Sequence, residues 1–96
     1  MIIGHGDIAS ALINGKVDMT NRLYFASGVS NSHELRESEY RREKNLLTQQ
    51  RRDLQTVYFS SLAVFYSNTR YAKHKKEMEK IVKKTFSHYT IIRLGN

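Results

Sequence analysis

Short apolar runs alternate with charged segments of helical period along this chain of 96 residues. The apolar runs, which are typical of strands, are MIIG, NRLYFASG, QTVYFSSLAVFY and HYTIIRLGN. Between them lie DIASALIN and two longer segments, in which apolar residues recur every three or four positions as in a helix. The longer helices are expected over residues 32–50 and 70–85. This order predicts a single α/β domain over residues 1–96, with about four parallel strands and helices on both faces.

Local features predict where the second helix begins and how it is stabilised. Ser32 or Asn31 is able to cap its first turn, because both side chains accept hydrogen bonds from backbone N–H groups. Glu37 and Arg41 are four residues apart, which is the spacing of an ion pair on one helix face.

The residue types exclude several classes of site. There is no cysteine, so disulfides and thiolate zinc sites are excluded. The four histidines show no ligand spacing, and we expect no metal site. No apolar run approaches the roughly 18 residues of a membrane span. The N-terminus lacks a basic region before its apolar residues and makes a poor signal peptide. We therefore expect a cytoplasmic location and no membrane partner.

The net charge of +7 leaves two interpretations open. The basic residues form a solvated surface, or they create a field that attracts anions such as dinucleotide phosphates or nucleic acid. The aromatic residues lie mostly within the predicted strands rather than among the basic residues, which argues against stacking on bases. Nucleic acid is therefore the less favoured partner.

The stretch GHGDIA has the spacing Gly4-x-Gly6-x-x-Ala9 between a predicted strand and a predicted helix. This is the context of a dinucleotide-binding turn, in which the first glycine permits the turn and the second lets a pyrophosphate approach. Asp7 and Ile8 follow at the start of the helix and are included in the predicted cofactor site. The alternative is an incidental glycine turn.

Small residues follow the second predicted strand. Ala26, Ser27 and Gly28 come at its carboxyl end, where small side chains leave a crevice for a ligand in a parallel sheet. We include them in the predicted cofactor site, with a soluble loop as the alternative.

A tyrosine and a lysine lie one turn apart on the third predicted helix. Tyr71 and Lys75 share the face that should pack on the core. A nearby ammonium would lower the tyrosine pKa from about 10 and prepare it for proton transfer. A serine at the end of the third strand, Ser61 with Ser60 behind it, could hold the reacting oxygen. The alternative for Lys75 is a lysine that extends its ammonium from an amphipathic helix to solvent.

Taken in order, these motifs resemble the extended short-chain dehydrogenase/reductase family, and most closely its sugar-nucleotide epimerases and dehydratases. The resemblance implies a reduced Rossmann-like three-layer fold, NAD or NADP as cofactor and a nucleotide-sugar substrate. It implies that Tyr71 is the acid/base, that Lys75 contacts the nicotinamide ribose, and that Ser61 binds the reacting oxygen. Arg93 and Asn96 match the family's last strand in kind.

The chain departs from the family in length. Only 11 residues separate Ala9 from Asn21, too few for the strand–helix–strand segment that normally follows the first helix. That segment carries the residue that selects NAD or NADP, and Asp18 lies too close to the glycines to replace it. Counting back from VFYS places Leu62, not Ser61, at the usual hydroxyl position.

Three functions follow as hypotheses. The first is a dehydrogenase or epimerase-like enzyme, and the second is a nucleotide-binding or assembly module of the same fold without turnover. The third is a basic nucleic-acid-binding domain. The resemblance also implies a homodimer through helices 32–50 and 70–85.

Overall fold

Four parallel strands and three α-helices follow one another in the computed structural model, which describes residues 1–18 and 20–95. The elements are β1 (Ile2–Ile3), α1 (Asp7–Asn14), β2 (Arg22–Phe25), α2 (Glu37–Thr48), β3 (Gln55–Ser61), α3 (Arg70–Thr85) and β4 (Tyr89–Leu94). A short 3-10 turn, Leu62–Phe65, follows β3. The sheet order is β1-β2-β3-β4. The predicted α/β fold with four parallel strands is confirmed.

One face of the sheet packs against α2 and α3. The register aligns Ile3, Phe25, Tyr58 and Ile91 across the four strands, so their side chains share this face. They pack against apolar side chains from α2, α3 and the residue that ends α3, namely Leu47, Met78, Val82 and Phe86. This cluster is the main core, and it holds the two long helices against the central strands.

The opposite face carries Tyr24 and Val57, which are aligned in adjacent strands and are both buried. The Tyr24 hydroxyl donates to the carbonyl of Asp18, 2.9 Å away in the loop after α1. Ala9 of α1 has no exposed surface. The α1 segment therefore covers this face, whereas α2 and α3 cover the other.

Helix α2 begins five residues later than the sequence predicts. The Asn31 side chain accepts from the N–H of His33, and the Glu34 carboxylate accepts from those of Leu35 and Arg36. These bonds form turns and compete with a helix, so neither Asn31 nor Ser32 caps α2.

The prediction that Glu37 and Arg41 form an ion pair within α2 is also wrong. Glu37 pairs with Arg70 at the start of α3, with N–O distances of 2.7 and 2.8 Å, and not with Arg41. The two helices lie side by side, and the pair joins their first turns.

Helix α3 occupies the predicted range 70–85. The side chain of Thr69 accepts from the N–H of Ala72 at 3.1 Å and caps the helix. Across residues 1–18 and 20–95, no helix has the length and apolar character needed to cross a membrane. The same residues contain no group of three or more His, Asp or Glu arranged to hold a metal ion. Asn96, which the sequence matched to the family, lies outside the described residues.

Candidate functional site

The carboxyl ends of the four strands open into a cavity of about 880 Å³. This volume lies within the roughly 300–1,000 Å³ range of small-molecule sites. The predicted site residues that line it are Gly6, Asp7, Ile8, Ala26, Ser27, Gly28, Ser61, Tyr71 and Lys75. Parallel strands end at the same edge of a sheet, so the fold brings together segments that are far apart in sequence.

Gly4 does not line the cavity, but its backbone conformation determines how the turn after β1 packs at this edge of the sheet. Its φ of +119° is in the region that favours glycine. A Cβ at Gly4 would lie 2.5 Å from the carbonyl oxygen of Ala26. Gly4 therefore lets the turn after β1 approach the end of β2, which is the tight-turn role predicted for the first glycine.

Gly6 faces open space at the start of α1. A Cβ at this position would meet nothing within 4 Å, and its φ of −88° suits any residue. The fold therefore does not require glycine here. The open space would allow a ligand to approach the backbone, but Asp7 adds a carboxylate to the first turn of α1.

Tyr71 is buried beside the cavity, with 7% of its surface exposed. The expectation that Lys75 lowers the pKa of Tyr71 is wrong. Burial raises that pKa, the interaction with the Ser61 hydroxyl opposes the rise, and the charge of Glu43 adds to it. The Lys75 ammonium lies 5.7 Å from the centre of the Tyr71 ring. Tyr71 therefore keeps its proton at neutral pH.

Lys75 points inward because an acidic partner meets it there. Its Nζ donates to the two carboxylate oxygens of Glu43 at 3.2 and 3.3 Å, and to the Tyr58 hydroxyl at 3.2 Å. It does not extend to solvent, since only 2% of its surface is exposed. Burial lowers the pKa of Lys75, and the charge of Glu43 opposes that shift.

Gly28 lies in close contact with this inward lysine and its partner Glu43. A Cβ at Gly28 would lie 2.8 Å from the Lys75 Nζ and 2.9 Å from Oε2 of Glu43. No larger residue fits without moving the ion pair. Gly28 therefore lets the loop after β2 lie directly over the buried charges.

Glu43 is the functional candidate that the sequence reasoning missed. Its carboxylate has no exposed surface and accepts from the Val29 N–H at 2.7 Å, from the Tyr58 hydroxyl and from Nε2 of His74 at 2.9 Å. Burial alone would raise its pKa, but the hydrogen bond from His74 and the charge of Lys75 hold that pKa at about 2.

A signal for this residue was present in the sequence. Tyr40, Glu43 and Leu47 follow the i, i+3, i+7 spacing of one helix face, and all three are buried. An acidic residue on an apolar face needs a cation, and Lys75 is the cation on the apolar face of α3.

The two serines at the end of β3 have different partners. Ser60 Oγ donates to Glu79 at 2.7 Å, and the same carboxylate receives two bonds from Arg93 at 2.7 and 3.0 Å. Ser61 interacts with Tyr71 and accepts from the Ala63 N–H at 3.1 Å. Of the two serines, Ser61 is the one that lowers the pKa of Tyr71, against the effect of burial, and both serines line the cavity.

A second group that the sequence did not indicate comes from α2. The cavity is also lined by Arg42, Asn45 and Leu46 on one face of this helix, and by Gln49, the C-cap residue that continues that face. Nη1 of Arg42 donates to the carbonyl of Ser27 at 2.8 Å and contacts its hydroxyl at 3.3 Å. This side chain adds a cation beside the small residues after β2.

Comparison of the chain with protein-family models, curated proteins and solved structures gave no match. The cavity has the volume of a small-molecule site and an open approach at Gly6, and the Tyr71, Ser61 and Lys75 side chains lie along it.

Proposed function

We propose that this protein binds NAD or NADP in the cavity at the carboxyl edge of its sheet. The supporting observation is that one cavity is lined by both Gly6 and the Ser61, Tyr71 and Lys75 side chains. Gly6 precedes α1, Ser61 ends β3, and Tyr71 and Lys75 lie on α3. In the short-chain dehydrogenase/reductase family, which this sequence resembles, such residues bind the cofactor and the reacting oxygen of the substrate.

The proposed enzymatic role is acid catalysis on a substrate oxygen, with a nucleotide sugar as the substrate that the resemblance implies. The reduced dinucleotide, when bound, would supply the hydride to the carbonyl carbon of the substrate. Tyr71 would donate its proton to the substrate oxygen, because its raised pKa keeps it protonated. Ser61 would hold the same oxygen, and Glu43 would keep Lys75 charged and fixed beside them.

One observation favours a second candidate, a nucleotide-binding module without turnover. The Lys75 ammonium is engaged by Glu43 and Tyr58, and it does not lower the pKa of Tyr71. A catalytic tyrosine that must act as a base would need a lowered pKa. This arrangement suits binding and proton donation better than proton abstraction.

The first test is a fluorescence titration of the purified chain with NADH and with NADPH, beside Gly6→Ala and Ser10→Ala. Gly6→Ala should preserve the fold, since its added Cβ meets nothing within 4 Å. It should weaken nucleotide binding about tenfold or more by occupying the space of the pyrophosphate. Ser10 is exposed on α1 and does not line the cavity, so Ser10→Ala is the matched control. If neither nucleotide binds the wild-type chain, the proposal is wrong.

Tyr71→Phe separates the enzyme from the binding module. The variant should keep nucleotide affinity in both cases, because the ring and its packing remain. If the chain is an enzyme, turnover of a nucleotide-sugar substrate should fall at least about a hundredfold, the usual contribution of general acid catalysis. If wild type and variant both bind nucleotide and both lack turnover, the binding module is the correct function.

We also propose a homodimer through α2 and α3. The family resemblance implies this interface. Within one chain the two helices already lie side by side, joined by the ion pairs of Glu37 with Arg70 and of Lys44 with Glu77. Sedimentation equilibrium would measure the assembly, and a monomer at all concentrations would contradict it.

A cytoplasmic location stays a prediction.

A further inference from the structure

We propose that the cavity-lining face of α2 forms the subsite for the adenosine diphosphate half of the ligand. This inference rests on the proposed function and names the part of the nucleotide that α2 recognises. The 11 residues between Ala9 and Asn21 are too few for the second strand–helix–strand segment, and β1 is an edge strand of the described sheet. The adenosine half therefore needs another wall, and α2 with its C-cap residue Gln49 lines the cavity from Arg42 to Gln49.

The subsite lies along a helix face of the right length. Arg42, Asn45, Leu46 and Gln49 have the i, i+3, i+4, i+7 spacing of one face. Seven residues of α-helix cover about 10 Å. This face and Gly6 line the same cavity. The face can therefore contact a diphosphate at one end and a nucleoside at the other.

Arg42 is the cation at the diphosphate end. Its Nη1 donates to the carbonyl of Ser27. Ser27 directly follows Ala26, and Gly4 lies close to the carbonyl of Ala26. Arg42 is thus anchored beside the glycine turn. Its Nε lies 3.5 Å from a carboxylate oxygen of Glu39, a longer and weaker contact. The remaining N–H donors of a guanidinium suit a phosphate.

The other cation of the cavity is already neutralised. Lys75 is bonded to the buried carboxylate of Glu43, so it adds little net charge toward a ligand. Asp7, in the first turn of α1, would repel a phosphate. A diphosphate in this cavity therefore depends on Arg42 for its counter-charge.

Asn45, Leu46 and Gln49 suit a nucleoside. Neither amide side chain of Asn45 or Gln49 makes a hydrogen bond within the part of the chain that the structure describes, and both residues are exposed. Leu46 lies between them, half-buried against the core. An apolar side chain flanked by free amides can pack on a base and bind its polar edge.

The test is a titration of the full chain with ADP and with NADH, by calorimetry, in the wild type and in three variants. Arg42→Gln removes the cation, Asn45→Ala with Gln49→Ala removes the amides, and Arg41→Gln is the matched control. Arg41 is exposed on α2 and does not line the cavity. We expect Arg42→Gln to weaken ADP binding about tenfold, as expected for one charge-assisted hydrogen bond, and Arg41→Gln to leave it unchanged.

The outcomes separate this inference from the proposed function. ADP binding that weakens in Arg42→Gln and in the double variant supports the subsite. NADH binding that is unchanged in both variants overturns the subsite and leaves the dinucleotide proposal intact. An equal loss of ADP affinity in Arg41→Gln and Arg42→Gln also overturns the subsite, since the effect would then come from the overall charge of the protein. Absence of both ADP and NADH binding in the wild type overturns both. Thermal unfolding of each variant confirms that it is folded.

Discussion

At the residue scale, the buried carboxylate of Glu43 determines the environment of the site. It binds the loop after β2 through the Val29 N–H, and it binds α3 through Lys75 and His74. A fully buried ion is unfavourable unless cations and hydrogen-bond donors compensate for its lost hydration. Glu43 has four such partners, which explains why its pKa falls despite its burial.

Glu43→Gln should destabilise the fold in a pH-dependent way. The pKa of Glu43 falls from 4.5 to about 2 in the folded chain. Its contribution to the free energy of unfolding is therefore present above pH 4.5 and is lost as the pH falls toward 2. At neutral pH the variant leaves Lys75 buried without its counter-ion and should lose on the order of 3 kcal/mol. Urea unfolding of both proteins at pH 7 and pH 3 measures this. A difference between wild type and variant that is the same at both pH values would contradict the assignment.

At the scale of elements, the two long helices begin for different reasons. Helix α3 begins where Thr69 accepts from the Ala72 N–H, and its residue range could be predicted. Helix α2 has no side-chain cap at Arg36. Its first residue, Glu37, forms an ion pair with Arg70 at the start of the neighbouring helix. A local cap can be recognised in a sequence, whereas a contact with another helix requires the packed structure.

Thr69→Ala should lower the free energy of unfolding by about 1 kcal/mol, because the first turn of α3 loses its hydroxyl acceptor. Thr69→Ser keeps that acceptor and should retain most of the stability. Denaturant unfolding of the three proteins at pH 7 measures the difference. Equal stability of the alanine and serine variants would show that the cap contributes nothing.

At the scale of the whole molecule, the net charge of +7 is distributed over exposed surface. Five lysines on α3 are exposed, and none pairs with a carboxylate in the residues that the structure describes: Lys73, Lys76, Lys80, Lys83 and Lys84. Many of the aromatic side chains, by contrast, are buried, among them Tyr24, Phe25, Tyr40, Tyr58 and Tyr71. The exposed lysines can attract polyanions, and the buried rings cannot stack on bases. Phe65, Tyr66 and Tyr89 are exposed, and weak binding of nucleic acid stays a prediction.

We expect single-stranded oligonucleotides to bind weakly and only at low salt. If about four lysines contact phosphates, raising the salt from about 50 to 200 mM should weaken binding by roughly fifty-fold. Fluorescence anisotropy with a labelled oligonucleotide measures this. Binding that persists at the higher salt and differs between base sequences would instead favour the nucleic-acid-binding hypothesis.

Much of the fold could be predicted because its signals are local. Apolar runs such as QTVYFSS and the helical spacing of α3 are visible within a few residues. The sequence order of these elements also determined that the sheet is parallel, since each pair of strands is separated by a helix. Most of the predicted site residues line one cavity for the same reason: they follow the strands whose carboxyl ends meet.

The sequence alone thus determined the order of the elements, the parallel sheet and the segments at its carboxyl edge. The tertiary structure decided what the side chains contact there. Lys75 binds Glu43, which is 32 residues away, and Arg42 contacts Ser27, which is 15 residues away. Periodicity reports which face of a helix a residue occupies, but a charge is stabilised by its neighbours in space. Those neighbours are set only when α2, α3 and the loop after β2 pack together.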